Sequence, residues 1–251
     1  MGKTRDLSID CYNRFSEVYD SMMNQQKYAV WKQLIQATIK KYQIPVQIGL
    51  DIGCGTGTIS KMLEENGFQV IGVDRSSEML KVANNKLPNA SFYMDDIRDY
   101  RLREHGITLA VSFYDSLNYL ITDEDMLACF RSTYEALDEG GIFLFDMNTR
   151  DHVYASQHTS PKIHDVDDCY AVFQYGGNDR IWTLDIDLFF SDGSGDYARH
   201  REHHEERGYD CADITPLLEK AGFTLLEVTC ENKVYEDGID RPSRLCFIAR
   251  K

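Results

Sequence analysis

The chain has 251 residues, enough to bury a sizeable core in one domain. Its 41 Asp and Glu outnumber 27 Lys and Arg, and the formal net charge of -14 argues against nucleic acid or an anionic membrane as a partner. Seven cysteines without a CxxC pair and an N-terminus without an apolar run argue against a disulfide framework and a signal peptide, so we expect a cytoplasmic protein.

The first 150 residues alternate predicted helices with predicted strands. Apolar residues at helical spacing predict helices over residues 8–44, ended by Pro45. Five strands and three intervening helices follow. The strands are VQIGLDIG, QVIGVD, ASFYMDD, ITLAVSFY and IFLFDMN, and the helices are TISKMLEENG, SSEMLKVANNKL and EDMLACFRSTYEALDEGG. This alternation predicts a parallel sheet with right-handed crossovers.

The pattern changes after about residue 150. Aromatic and β-branched residues alternate in YAVFQYG, DRIWTLDIDLFFSDG and DYARHREHHEERGY, which predicts an antiparallel meander. CADITPLLEKAG predicts a helix, and FTLLEVTCEN with SRLCFIARK predicts a hairpin that completes the main sheet. The predicted fold is α/β and Rossmann-like: a doubly wound, mainly parallel seven-stranded sheet with helices on both faces and an antiparallel β-rich insertion after the fifth strand.

The stretch GLDIGCGTGTIS follows the N-terminal helices and places glycines at 53, 55 and 57 directly after a strand. In an open parallel sheet, ligands bind beyond the carboxyl ends of the strands, where the strand order reverses. A glycine-rich turn lets the backbone approach a ligand there. A dinucleotide site requires G-x-G-x-x-G, whereas this turn reads D-x-G-x-G-x-G with Thr58 after the third glycine.

Acidic residues end the next two predicted strands. Asp74 ends the second strand, where a carboxylate can accept both hydroxyls of a ribose. Asp95 and Asp96 end the third strand, where an acceptor can bind the amino group of adenine. Acids at three successive strand ends, with no basic residue in the glycine loop, fit a cofactor without phosphate. S-adenosylmethionine is such a cofactor, and its carboxylate can meet the loop amides and the next helix N-terminus.

At LDIGCGTG, VIGVDRSSEML, DDIRDY and DEGGIFLFD the chain resembles the class I S-adenosylmethionine-dependent methyltransferases, over most of its length. FSEVYD, SFYDSLNYL and the insertion are similar to bacterial small-molecule methyltransferases, including amino-sugar N-methyltransferases. The resemblance implies that Asp74 holds the ribose, Asp96 and Ile97 meet adenine, Phe113 lies near the methionine part, and Tyr28 reaches its carboxylate. The implied cofactor-binding residues are Tyr28, Asp51, Gly53, Gly55, Gly57, Asp74, Arg75, Met79, Asp96, Ile97 and Phe113.

The predicted domain spans 1–251 and has four parts. They are an N-terminal helical lid (1–44), a cofactor-binding core (45–149), the β-rich insertion (150–208), and a terminal helix with a strand hairpin (209–251). The aromatic residues of the insertion either pack within it or form a lid or a homodimer interface. They are Tyr170, Phe173, Tyr175, Trp182, Phe189 and Phe190.

Methyl transfer requires an acceptor held in line with the donor, and a general base when the acceptor is a hydroxyl or an ammonium group. Four residues are candidates for that base, and nothing in the sequence separates them: Tyr12, Tyr19, Tyr119 and His204. Tyr12 and Tyr19 stand seven apart, so they share one face of a predicted helix, either as a core stripe or as an active-site lid. Tyr119 follows the fourth strand in YDSLNYL, either in a capped helix start or facing the donor methyl.

The strand RHREHHEERGY places His200, Glu202, His204 and Glu206 on one face. Two histidines and two glutamates can bind a metal, but solvated polarity is commoner on a strand, so no metal site is assigned. A second pattern in this stretch is similar to one in close relatives, and it consists of Glu202, His204, Arg207 and Tyr209. This similarity makes His204 a candidate to line the acceptor pocket or to act as a base.

The predicted function is transfer of a methyl group from S-adenosylmethionine to nitrogen or oxygen of a small-molecule acceptor. One alternative is an RNA or protein methyltransferase, which the acidic charge and the lack of an NPPY-like tetrapeptide after the fourth strand oppose. Another is a non-catalytic module that binds S-adenosylmethionine or S-adenosylhomocysteine. An NAD-dependent dehydrogenase is a further alternative.

Overall fold

The computed structural model describes residues 12, 14–23, 25–234 and 239–251. The strands in these ranges are β1 (Ile48–Ile52), β2 (Gln69–Asp74), β3 (Ser91–Met94), β4 (Ile107–Ser112), β5 (Ile142–Asn148), β6 (Lys162–Val166), β7 (Cys169–Gly177), β8 (Ile181–Ser191), β9 (Tyr197–Arg207), β10 (Thr224–Val234) and β11 (Asp240–Arg250). The α-helices are α1 (Tyr19–Met22), α2 (Gln25–Tyr42), α3 (Thr58–Glu65), α4 (Ser77–Lys86), α5 (Asp123–Ala136), α6 (Arg150–Ser156) and α7 (Cys211–Ala221). Within the same ranges, two 3₁₀ turns cover Arg14–Glu17 and Ser116–Tyr119.

The main sheet, within the described ranges, contains seven strands in the order β10-β11-β5-β4-β1-β2-β3. Strands β1 to β5 pair in parallel, and β11 joins β5 antiparallel with β10 at its outer side. The predicted fold class is therefore confirmed. The chain proceeds from β1 to one side through β2 and β3, and then returns to β4 on the other side. This reversal opens a crevice between the carboxyl ends of β1 and β4.

Apolar helix faces cover both sides of the main sheet. Helices α2 and α3 pack on one face, where Trp31, Ile35 and Leu63 meet Val111 and Leu144. Helices α5 and α7 pack on the opposite face, around buried residues that include Phe130, Phe143, Phe145, Ile214 and Leu218. Because β4 and β5 are covered on both faces, every residue of these two strands is buried.

The insertion forms a second sheet of antiparallel strands in the order β6-β7-β8-β9. Its inner face packs against the N-terminal segment (residues 12 and 14–23), with Phe15 and Val18 contacting the face that carries Phe173 and Ile186. Its outer face is charged, and Asp187 forms ion pairs there with two arginines, Arg199 and Arg201. Among the insertion aromatics, Phe173 and Trp182 are buried, whereas Tyr170 is 44% exposed on the outer face.

Two predicted elements differ from the structure. The N-terminal helix is interrupted: a 3₁₀ turn and the short α1 precede α2, and Tyr12 lies outside any helix with a φ of 63°. Of the helices predicted over residues 8–44, residues 8–11, 13 and 24 lie outside the described residues. The insertion also begins with a helix, α6, whereas the sequence predicted only β-structure from residue 150 to residue 208. Thr149 starts this helix because its side chain accepts a hydrogen bond from the His152 backbone N–H.

No helix in the part of the chain that the structure describes is long and apolar enough to cross a membrane. The six cysteines in the same ranges are free thiols, and Cys54, Cys129 and Cys169 are buried. Residues 235–238, between β10 and β11, lie outside the described ranges, so the turn of the predicted hairpin is not described, although its two strands pair antiparallel.

Candidate active site

The glycine turn between β1 and α3 has two crowded positions and one open position. A Cβ on Gly53 would lie 2.7 Å from the Ser116 Cβ, and a Cβ on Gly57 would lie 3.1 Å from the Ala83 Cβ. Gly55 has a φ of 51°, and a Cβ there would meet no atom of the described structure within 4 Å. The turn is therefore packed against its neighbours at both ends. At its centre, the backbone of Gly55 has the free space that a ligand in close contact requires.

The Asp74 carboxylate joins the glycine turn to the turn after β2. Its Oδ2 accepts a hydrogen bond of 2.8 Å from the Gly55 backbone N–H, and its Oδ1 accepts one of 2.9 Å from the Ser76 N–H. Burial raises the pKa of Asp74, and these backbone donors oppose the rise. A carboxylate offers about four acceptor sites, so these backbone donors leave it capacity to accept from a hydroxyl group. This donor and acceptor arrangement fits a ribose.

The residues after β3 lie beside the backbone of Asp74, whose carbonyl accepts a 3.1 Å hydrogen bond from the Asp95 N–H. The next residue, Asp96, is held by Arg98, whose Nη2 lies 2.6 Å from Oδ2 and whose Nε lies 3.0 Å from Oδ1. Burial raises the pKa of Asp96, but the hydrogen bonds from Arg98 outweigh burial and lower it overall. The sequence pattern did not single out Arg98. Ile97 is buried in the main core.

Several other cofactor candidates are buried beneath the crevice. Asp51 is 1% exposed and accepts a 2.7 Å hydrogen bond from Ser60, and burial raises its pKa to about 7. Met79 is buried at the start of α4. The side chain of Phe113 packs 5.8 Å from the ring of Trp31, inside the core. In contrast, Arg75 is exposed beside Asp74.

An ionic cluster pins the N-terminal segment to the glycine turn. Asp20 of α1 accepts a hydrogen bond of 2.6 Å from Thr56 and forms an ion pair of 2.7 Å with Lys86, at the end of α4. Lys86 also donates to Thr58 at 3.0 Å. The sequence pattern showed no basic residue in this loop, and only the packing of α4 brings Lys86 to it. Buried Tyr28 lies close by, and burial raises its pKa.

A buried charge network supports the loop after β4. Asp115 has a φ of 59°, and the preceding Tyr114 has a φ of 63°, so two consecutive non-glycine residues are left-handed. Arg244 of β11 lies 3.1 Å from Asp115 and 2.8 Å from Asp146, and Asn148 donates to Asp115 at 3.0 Å. Burial lowers the pKa of Arg244, but the two carboxylates outweigh burial and raise it. These contacts hold the strained loop, and the sequence pattern missed Arg244 because it lies 98 residues from Asp146 and 129 residues from Asp115.

The fold brings the four candidates for a general base together. The Tyr12 and Tyr119 hydroxyls lie 2.6 Å apart, and the Tyr119 hydroxyl lies 2.8 Å from Nδ1 of His204. The ring of Tyr19 lies 5.9 Å from that of Tyr12, edge to face. Burial raises the pKa of Tyr19 well above its usual value, which disfavours a phenolate there. The prediction that Tyr12 and Tyr19 share one face of a helix was wrong, because Tyr12 lies outside any helix.

The remaining polar residues of β9 have separate partners. Glu202 accepts backbone hydrogen bonds from the N-terminal segment, and the carboxylate of Glu206 lies 3.5 Å from the Asn148 amide. Arg207 forms an ion pair with Asp123 at 2.8 Å. His200 packs against Phe190. In the described ranges, no three His, Cys, Asp or Glu side chains are grouped as metal ligands.

Comparison with known proteins identifies the class of enzyme. A family model described as a methyltransferase domain matches residues 50–141. The Bacillus subtilis (strain 168) protein YqeM, assigned as a methyltransferase, is 32% identical over 253 residues, which cover 96% of this chain and 97% of YqeM. The chain therefore belongs to the methyltransferase family, and its fold and glycine turn are those of an enzyme that uses S-adenosylmethionine.

Two further similarities refine this assignment. The crystal structure of an S-adenosylmethionine-dependent methyltransferase from Clostridium acetobutylicum ATCC 824 is 26% identical, with a TM-score of 0.80 and coverage of 96% of this chain and 99% of that one. The dTDP-3-amino-3,4,6-trideoxy-α-D-glucopyranose N,N-dimethyltransferase of Streptomyces venezuelae is 34% identical over 97 residues, covering 39% of this chain and 40% of that enzyme. The protein is thus an S-adenosylmethionine-dependent methyltransferase.

Proposed function

We propose that this methyltransferase methylates the amine nitrogen of a small-molecule acceptor. The observation that carries the proposal is the series of hydrogen bonds that joins Tyr12, Tyr119 and His204. Its central residue, Tyr119, follows β4 at the sheet edge that also bears the glycine turn. An amine is protonated near neutral pH and must lose a proton around the methylation step, so it requires a nearby proton acceptor. The three side chains form a continuous path for one proton.

Bound S-adenosylmethionine supplies a methyl group already activated on a positively charged sulfur. We propose that Asp74 binds the ribose hydroxyls and that the open backbone at Gly55 lies along the nucleoside. We also propose that Asp96 and Ile97 flank the adenine and that Met79 lies on the ribose side. The main task of the protein is then to hold the acceptor in line and to exclude water, and such positioning is worth roughly 7–11 kcal/mol in favourable intramolecular cases.

His204 is the residue of this chain best placed to take up a proton. Its Nδ1 is already hydrogen-bonded to Tyr119, and its Nε2 lies 3.5 Å from Oε2 of Glu202. Tyr119 can pass a proton because its hydroxyl both donates and accepts. Tyr12 extends the path by one hydroxyl. Tyr19 supports the ring of Tyr12 and stays neutral, because burial raises its pKa.

The similarity of the chain to a relative and its net charge support a small-molecule amine as the acceptor. The Streptomyces relative acts on an amino sugar, as its name states, which supports an amine over a hydroxyl. The net charge of -14 supports a small molecule over RNA.

The experiment is methyl transfer from isotope-labelled S-adenosylmethionine, followed by mass spectrometry of the products. The acceptor pools are nucleotide-linked amino sugars, simple amines, matched hydroxyl analogues without the amine, total RNA and denatured protein. We expect label on amine nitrogen only. Label confined to the hydroxyl analogues would overturn the amine assignment, and label in RNA or protein would overturn the small-molecule assignment. Calorimetric binding of S-adenosylhomocysteine without any product would indicate a binding module.

The expected homodimer and cytoplasmic location stay predictions. The outer face of the insertion exposes Tyr170 and Tyr197, whose rings lie 6.3 Å apart, and this aromatic pair supports an interface there. Sedimentation velocity of the purified chain and of a Tyr170→Glu variant checks the interface. A monomer at every concentration contradicts it.

A further inference from the structure

Glu202 lies at the junction of the insertion and the N-terminal segment. It is 4% exposed on the inner face of β9, two residues before His204. Within the described part of the chain, no lysine or arginine forms an ion pair with its carboxylate, and its nearest cationic candidate is His204 at 3.5 Å. A buried carboxylate is costly unless hydrogen bonds compensate for the lost water. The identity of its hydrogen-bond donors therefore indicates what the residue is for.

The donors are backbone groups of the N-terminal segment. Oε2 of Glu202 accepts a hydrogen bond of 2.6 Å from the Tyr12 N–H, and Oε1 accepts one of 3.1 Å from the Phe15 N–H. Phe15 lies in the 3₁₀ turn at Arg14–Glu17, whose first N–H groups have no partner within the turn itself. Tyr12 has a φ of 63°, a conformation that persists only where the surroundings enforce it. Glu202 supplies that enforcement from a distant strand.

Tyr12 connects three parts of the molecule once it is held in this way. Its carbonyl accepts a hydrogen bond of 3.2 Å from Ser76, in the turn that also carries Asp74. Its hydroxyl reaches Tyr119 at 2.6 Å. The segment thus crosses from the ribose side of the crevice to the insertion, and its position determines whether the hydroxyl of Tyr12 completes the path to His204.

We infer that Glu202 is a positioning residue that docks the N-terminal segment over the crevice and so brings Tyr12 to Tyr119 and His204. The catalytic part of this inference rests on the proposed function, whereas the docking part does not. The same carboxylate binds the segment and lies 3.5 Å from Nε2 of His204, so the docked segment and the imidazole meet at one side chain. A chain with an undocked segment keeps its cofactor contacts at Asp74 and Gly55 but lacks the outer hydroxyl of the path.

The test compares Glu202→Gln and Glu202→Ala with Glu205→Gln. Glu205 is on the same strand but exposed on the opposite face, so it is a matched control. Hydrogen exchange of the Tyr12 and Phe15 amides, resolved by mass spectrometry, reports docking without any need for turnover. Steady-state kinetics with the amine acceptor measure kcat, and calorimetry measures the dissociation constant of S-adenosylhomocysteine.

We expect Glu202→Ala to speed exchange at both amides about tenfold or more, the order for loss of hydrogen bonds to a charged group. The kcat falls about tenfold or more, while the dissociation constant of S-adenosylhomocysteine changes less than about threefold. Glu202→Gln keeps one acceptor oxygen and recovers part of the protection, and Glu205→Gln behaves as the wild type.

Unchanged exchange in a folded Glu202→Ala chain would overturn the inference. Faster exchange with unchanged kcat would overturn its catalytic part. A wild type without methyl transfer would instead refute the proposed function, and the exchange result would still decide the docking.

Discussion

The proposed cofactor side and the proposed acceptor side of this crevice are built in different ways. On the cofactor side, Asp74 bonds to Gly55 and Ser76, residues that lie within 19 positions of it, and mainly through backbone groups. On the acceptor side, Tyr12 meets Tyr119 across 107 positions and Glu202 across 190. A site made from backbone at adjacent strand ends comes with the fold itself, because parallel strands align their carboxyl ends. A site made from distant side chains depends on how an insertion and a terminal segment pack.

The largest expected effect breaks the acceptor side alone. Tyr119→Phe removes the hydroxyl between Tyr12 and His204, and we expect kcat to fall roughly 10²–10⁴-fold, the usual contribution of a positioned proton acceptor. The affinity for S-adenosylhomocysteine stays the same, since no cofactor contact is removed. Stopped assays with labelled S-adenosylmethionine measure kcat, and calorimetry measures the affinity for S-adenosylhomocysteine. Tyr154→Phe, on exposed α6, is the control, and a Tyr119→Phe enzyme with full kcat contradicts the proton path.

The next effect tests whether the two sides form one cooperative unit. Arg244→Met leaves Asp115 and Asp146 without their buried partner, and we expect the free energy of unfolding to drop by about 3–5 kcal/mol. Because this network joins β4, β5 and β11, chemical denaturation followed by fluorescence and by circular dichroism shows one shifted transition. Arg250→Met on the same strand, where the arginine packs on Tyr42, costs much less. Equal losses in the two variants would show that the buried network adds no stability.

A third change breaks the cofactor side alone. Asp74→Ala removes the acceptor proposed for the ribose hydroxyls, and we expect S-adenosylhomocysteine binding to weaken by about 1–3 kcal/mol, which is roughly 5- to 150-fold in dissociation constant. With saturating donor, kcat falls less than in Tyr119→Phe. Isothermal calorimetry of the folded variant measures the affinity, with Asp99→Ala as an exposed control. An unchanged dissociation constant would mean that Asp74 serves only to brace the glycine turn.

The smallest effect lies on the outer face of the insertion, away from both halves of the site. The hydrogen bond that His203 donates to Asp185 raises the pKa of His203 against a smaller opposing effect of burial, and Glu205 adds to the rise. A raised pKa in the folded state stabilises the fold below the ordinary histidine pKa, and this contribution is lost as the pH rises through the folded value. Since the pair is more than a third exposed, His203→Gln costs less than about 1 kcal/mol at pH 6 and nothing at pH 9. Denaturant titrations at the two pH values measure the loss in free energy of unfolding. A larger loss at pH 9 than at pH 6 would contradict the raised pKa of His203.

Residue types and spacing alone predicted the seven-stranded sheet, the insertion and the turn at Gly53–Gly57, because strand and helix periodicity and glycine spacing are local properties of the chain. The resemblance to small-molecule methyltransferases favoured Tyr12, Tyr19 and His204 as active-site residues, and the position of Tyr119 after the fourth strand added it, but neither separated their roles. Tertiary packing then decided which of these hydroxyls and ring nitrogens touch, placed Lys86 and Arg244 beside the site, and aligned Glu202 with the backbone of Tyr12. Such contacts join residues far apart in the chain, so their geometry follows from the packing of whole elements rather than from any short pattern.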